Sequence, residues 1–160
     1  MKTLFPAVLL SVGCLAASAA QAQTAPPACQ TQGQTVRIKT KAADLQIQVF
    51  SPNSVRILRF PVGSKATKTS LSVKKTPDKT PFETAEAGGV ITVKTALLAV
   101  SLNRQTGLVS FATRVGKPLL QEGAQDSLFT PTTDNGQPAY RVQQRFRLSA
   151  PEGIYGLGQF

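Results

Sequence analysis

The chain has 160 residues, 41% of them hydrophobic but only 6% aromatic, with two cysteines, no tryptophan and no histidine. Lysine and arginine number 18 against 8 acidic residues, a net charge of +10. Without histidine, the commonest general base and metal ligand is missing, and every triad built on it is excluded from these residues.

The chain opens with Met1-Lys2, followed by the uncharged apolar run "LFPAVLLSVGCLAASAA". "AQA" at Ala20 to Ala22 then fits the small-x-small rule for signal peptidase. Residues 1–22 are therefore expected to be a secretory signal peptide cleaved after Ala22, which directs the protein to the periplasm or outside the cell. Lipoprotein processing at Cys14 is the weaker alternative, because Ser11 stands where a large aliphatic residue is wanted. No other segment is long and apolar enough to span a bilayer.

Residues 23–35 include "TAPPACQTQGQ" and read as a flexible leader. Cys29 is the one cysteine beyond the signal peptide. It has no internal partner for a disulfide, so the fold must rest on its apolar core. An intermolecular disulfide is its sharper alternative role. Lys2 is the only charge in residues 1–22, so the remainder carries +9 of the +10. Lys39, Lys41, Arg56, Arg59, Lys74 and Lys75 spread the excess along the chain. This charge could meet an anionic surface, but the export signal, the few aromatics and the absence of a reading motif argue against nucleic acid. A solvated basic face is the plainer reading.

From Val36 onward the signal is strand alternation. "ADLQIQVF" sets Leu45, Ile47 and Val49 against Gln46 and Gln48. "SVRILRF" sets Val55, Ile57 and Arg59 against Arg56, Leu58 and Phe60, and "SPN" between them is a turn. "GVITVKT" follows, with Val90, Thr92 and Lys94 opposite Ile91 and Val93, and then "ALLAVSL" as a largely buried strand. "NRQTG" is a hairpin loop with glycine at its end, "LVSFATR" returns from it, and "VGKP" turns into "LLQE". "RVQQRFRL" reads as one further strand with a basic face. Residues 74–89 and 130–140 read as loops. About eight short strands at this spacing predict an all-β antiparallel sandwich.

Chemistry is sparse. The carboxylates Asp44, Asp78, Glu83, Glu86, Glu122, Asp126, Asp134 and Glu152 fall in stretches that read as loops and turns. Glycosidic chemistry needs two carboxylates facing each other on rigid elements. Glu122 and Asp126 in "QEGAQD" are the nearest thing to a pair, and a turn explains them better. No catalytic residue, metal ligand or cofactor-binding residue is expected. "YGLGQF" carries two glycines spaced as in a dinucleotide-binding fingerprint, but the third glycine and the following helix are missing.

"ALLAVSLNRQTGLVSFATRVGKPLLQE", followed by "YRVQQRFRLSAPEGIYGLGQF", resembles the N-terminal domain of glycoside hydrolase family 31, which includes α-glucosidases and α-xylosidases. "FSPNSVRILRFP" resembles that family's early strands. The resemblance covers residues 36–160 and implies a galactose mutarotase-like β-sandwich that leads into a catalytic (β/α)8 barrel. The family's nucleophile and acid/base are aspartates of the barrel, so they map onto no residue here. Mutarotase catalysis uses histidine, so that activity is excluded. The resemblance implies a non-catalytic supporting domain, with the barrel of the same polypeptide as its partner and an α-linked oligosaccharide as the substrate of the whole. Tyr155, Gly156, Leu157, Gly158, Gln159 and Phe160 are the expected domain junction and rim of the sugar pocket. Two other readings compete: a stand-alone carbohydrate-binding module of the envelope, which would need exposed aromatics, and a basic envelope interaction protein.

Overall fold

The computed structural model describes residues 29–64, 70–124 and 127–149. Among the described residues there are twelve strands and no helix. In chain order they are β1 (Cys29–Gln32), β2 (Thr35–Lys39), β3 (Asp44–Ser51), β4 (Ser54–Phe60), β5 (Glu83–Ala87), β6 (Val90–Lys94), β7 (Leu98–Asn103), β8 (Val109–Thr113), β9 (Pro118–Glu122), β10 (Phe129–Asp134), β11 (Gln137–Val142) and β12 (Phe146–Arg147). One sheet has the order β1-β2-β3-β4, a second the order β12-β9-β8-β7-β6-β5, and β10-β11 is a separate hairpin. All pairings are antiparallel. The fold is the all-β sandwich that the alternation predicts.

The register explains the core. In the first sheet Val36 faces Ile47, which faces Ile57, and Ile38 faces Leu45. In the second, Ile91 faces Leu102, which faces Val109, and Val93 faces Val100, which faces Phe111. Because strand side chains alternate between faces, each row falls on one side of its sheet. The two inner faces then merge into one cluster built on Val36, Ile38, Leu45, Ile47, Val49, Ile91, Val93, Val100, Leu102 and Val109. β-Branched residues dominate it, as suits a pleated, half-covered surface.

The turns carry the local chemistry that hairpins require. Pro52 and Asn53 close the β3–β4 hairpin, where the Ser51 hydroxyl donates to Asn53 Oδ1 at 2.7 Å. Gly107 ends the β7–β8 loop at φ 72°, as its place in "NRQTG" predicts. Asn103 caps that loop, since its Oδ1 accepts from the amides of Gln105 and Thr106.

Five sequence expectations change. β1 lies within the stretch read as a leader, so the first sheet starts at Cys29 rather than at Val36. Residues 74–89 contain β5, an edge strand whose "ETAEA" is exposed throughout and so has no alternation to detect. Residues 130–140 contain most of the β10–β11 hairpin, which turns at Asn135 (φ 47°) and Gly136 (φ 75°). Asn-Gly at such a turn supplies the two left-handed residues that a tight hairpin needs. "ALLAVSL" is amphipathic rather than largely buried: Val100 and Leu102 are buried, while Leu97 is 56% exposed.

"RVQQRFRL" is not one strand. It ends β11 at Val142, and after a crossing segment in which the Gln143 amide donates to Leu128 O, it joins the second sheet as β12. Alternation has the same period in both sheets, so a change of sheet leaves no mark on it.

Leu102 is fully buried at the centre of the second sheet. Leu102→Ala should lower the unfolding free energy by about 2–5 kcal/mol. Val115→Ser, at a side chain 93% exposed, should stay within about 0.5 kcal/mol of the parent. Urea denaturation followed by circular dichroism measures both.

Candidate functional site

The inner face of β4 carries Val55, Ile57 and then Arg59. An arginine in an apolar row cannot be left desolvated without a partner. Its partner comes from the other sheet: Arg59 Nη2 lies 2.6 Å from Glu122 Oε2, with the two side chains 11% and 4% exposed. Glu122 Oε2 also accepts the Val109 amide at 2.8 Å, and Oε1 accepts the Gln144 side-chain amide. Three donors from β4, β8 and the segment before β12 thus converge on one carboxylate.

This corrects the reading of Glu122 as a turn residue. It ends β9, faces Phe146 of β12, and is one of the few buried polar groups among the described residues. Three of its roughly four lone-pair sites take donors, its side chain is buried, and no second described carboxylate joins the cluster, so it has neither an open face for substrate nor a partner for acid/base work. The cluster is a clamp between sheets. A second clamp sits elsewhere in the sandwich. Thr95 is buried; its hydroxyl donates to the Pro52 carbonyl at the β3–β4 turn and accepts from the amides of Leu97 and Leu98.

The remaining described carboxylates are also engaged or dispersed. Asp44 accepts the Gly63 amide at 2.9 Å, Asp78 pairs with Lys75, Glu83 with Arg114 and Glu86 with Arg104. Asp44, Glu83 and Glu86 stand on strands rather than in loops, and Asp134 ends β10. Asp126 and Glu152 lie outside the described residues, as do Tyr155, Gly156, Leu157, Gly158, Gln159 and Phe160, the expected junction. No group of three metal-ligating side chains forms among the described residues.

Two surface grooves stand out among the described residues. One of about 460 Å³ is lined by Lys39, Lys41, Gly88, Arg104 and Gln105, where three hairpin connections meet. The other, about 590 Å³, runs along the β9–β12 edge past Leu119, Leu120, Arg147 and Leu148. Neither is lined by a carboxylate. Cys29 packs partly against the core, and burial pushes its thiol pKa up, reinforced by Glu86 and opposed by Arg104.

A family model described as the glycosyl hydrolase 31 N-terminal galactose mutarotase-like domain matches residues 44–159. The chain belongs to that family. The structure is similar to a family-31 α-xylosidase from Xanthomonas citri, with a TM-score of 0.72 and 32% identity over 82% of this chain and 15% of that one. It is also similar in fold to a family-31 α-xylosidase from a soil metagenome, solved with xylose, at a TM-score of 0.65 and 19% identity over 82% of this chain and 22% of that one. The chain therefore spans less than a quarter of either enzyme.

Breaking the clamp should be costly. Glu122→Leu strands Arg59 in the interior and should cost about 3–5 kcal/mol, whereas Arg59→Met/Glu122→Leu together should recover much of the loss. A double-mutant cycle in urea measures the coupling. Alkylation of Cys29 by iodoacetamide at pH 8, read by mass spectrometry of its peptide, should be slower in the native chain than in urea. Burial keeps the thiol protonated, and the thiolate is the reacting form. Equal rates would count against the placement of β1.

Proposed function

We propose that this chain is the non-catalytic N-terminal sandwich of an exported family-31 α-glycosidase, whose catalytic barrel belongs to the same longer polypeptide. The observation that carries the proposal is the apolar character of the β9–β12 edge. Leu119 is 47% exposed, Leu120 37%, Phe146 43% and Leu148 49%. Leu119, Leu120 and Leu148 line one groove there and Phe146 stands on the edge strand β12, an edge where a self-sufficient sheet usually places charges or covers itself. β12 is also the strand from which the chain leads toward "EGIYGLGQF". Packing a further domain against this edge would bury it and place Tyr155 to Phe160 at the junction, near the rim of the sugar pocket.

The relatives support the class of the whole enzyme. Both are α-xylosidases, so the proposed reaction is hydrolysis of α-xylosides or the related α-glucosides. In a retaining mechanism one carboxylate attacks the anomeric carbon, and the second protonates the leaving oxygen and then activates water. Both carboxylates belong to the barrel in this proposal. The sandwich contributes support and part of the pocket wall. Export to the periplasm or beyond follows from the peptide at residues 1–22 and its cleavage after Ala22.

The 160-residue chain should release no product from aryl α-xylosides or aryl α-glucosides; turnover that survives Glu122→Gln and repeated purification would overturn the non-catalytic assignment. Edman sequencing of protein recovered from an exporting host should begin at Gln23. A start at Met1, or a lipid-modified Cys14, would overturn the export route.

A further inference from the structure

The outer face of the first sheet carries more positive than negative charge among the described residues. Because Leu45, Ile47 and Val49 point inward, Gln46 and Gln48 point outward. The register extends their rows: Arg37 and Leu58 flank Gln46, Thr35 and Arg56 flank Gln48, and Lys39 and Phe60 flank Asp44. Arg37, Lys39 and Arg56 thus stand on one face, and Lys41 continues it at the β2–β3 turn. Among the described residues none of these four cations forms an ion pair or side-chain hydrogen bond. The one carboxylate on the face is Asp44, which accepts the Gly63 amide. At Lys39 and Lys41 the face opens into the groove of about 460 Å³.

We propose that this face binds an acidic polysaccharide through its uronate carboxylates. Two features of the face select this ligand. Strands lie about 5 Å apart, so Arg37 on β2 and Arg56 on β4, with β3 between them, stand about 10 Å or more apart. A linear polyanion lying across β2, β3 and β4 meets Arg37 or Lys39 at one end and Arg56 at the other. Arginine forks take carboxylates in two-pronged fashion. Between the cations lies the amide of Gln46, which can both donate to and accept from hydroxyls. Alternating carboxylates and hydroxyls describe a uronic acid chain better than a phosphate backbone. The choice of a sugar chain also rests on the glycosidase-domain reading. In that setting the face would hold the enzyme on an acidic matrix, away from the β9–β12 edge.

The test uses the 160-residue chain and calorimetric titration with a homogalacturonan oligosaccharide. A neutral xylan oligosaccharide, a single-stranded DNA oligonucleotide and phosphatidylglycerol vesicles serve as comparators. The uronate oligomer should bind best, and its affinity should fall as salt rises. Arg37→Ser/Lys39→Ser/Arg56→Ser should weaken binding roughly tenfold or more. Arg37→Lys/Arg56→Lys should retain part of it, and Lys94→Ser/Lys117→Ser, at the second sheet, should change little. Circular dichroism of each variant confirms folding. Equal binding of the neutral oligomer, tighter binding of DNA or vesicles, or indifference to the triple variant would overturn the proposal. None of those results touches the non-catalytic assignment, which stands or falls on turnover.

Discussion

One buried ion pair organises this sandwich. Arg59 reaches across from the four-stranded sheet to Glu122 of the six-stranded sheet, and Val109 and Gln144 complete the carboxylate's shell. Apolar packing between two sheets is non-directional and tolerates sliding. A desolvated charge pair does not, since any slip leaves both charges without partners in a low-dielectric interior. Gln144 extends the constraint to the segment between β11 and β12, so the same carboxylate that aligns the sheets also fixes where the chain rejoins the second one. Thr95 makes a comparable link through the Pro52 carbonyl with an uncharged group.

The two surfaces of the domain differ in kind. The β9–β12 edge presents mainly leucine and phenylalanine, while the outer face of the first sheet sets Arg37, Lys39 and Arg56 beside Gln46, Asp44, Leu58 and Phe60. Apolar area at an edge is relieved by covering it; unpaired cations on a broad face are well solvated and attract anions at a distance. A domain that packs on a larger neighbour through one side and meets an acidic surface with another accounts for both without an active site.

Much of this was legible from residues alone. The β3–β4 hairpin, the inward Ile91 and Val93, and the glycine-ended loop at Gly107 follow from alternation and turn chemistry. The clamp left half a signature: Arg59 shares a face with Val55 and Ile57, and a charge in an apolar row calls for a buried partner. Which carboxylate answers could not be read, because Glu122 lies 63 residues away on another sheet. Strands without alternation escaped altogether. β5 is exposed on both faces, and β10 is mostly exposed, so neither carries a hydrophobic period.

The sequence by itself determined the fold class, the inner faces of the main strands and the lack of histidine chemistry, since these depend on local period and residue type. Its motifs also placed the chain in its family. Tertiary structure decided how the twelve strands divide between sheets, that "RVQQRFRL" changes partners midway, and that Glu122 is a clamp rather than part of a turn. The reason is range. Alternation is a property of consecutive residues and is identical in either sheet, whereas strand order and charge pairing are settled by contacts between residues far apart in the chain.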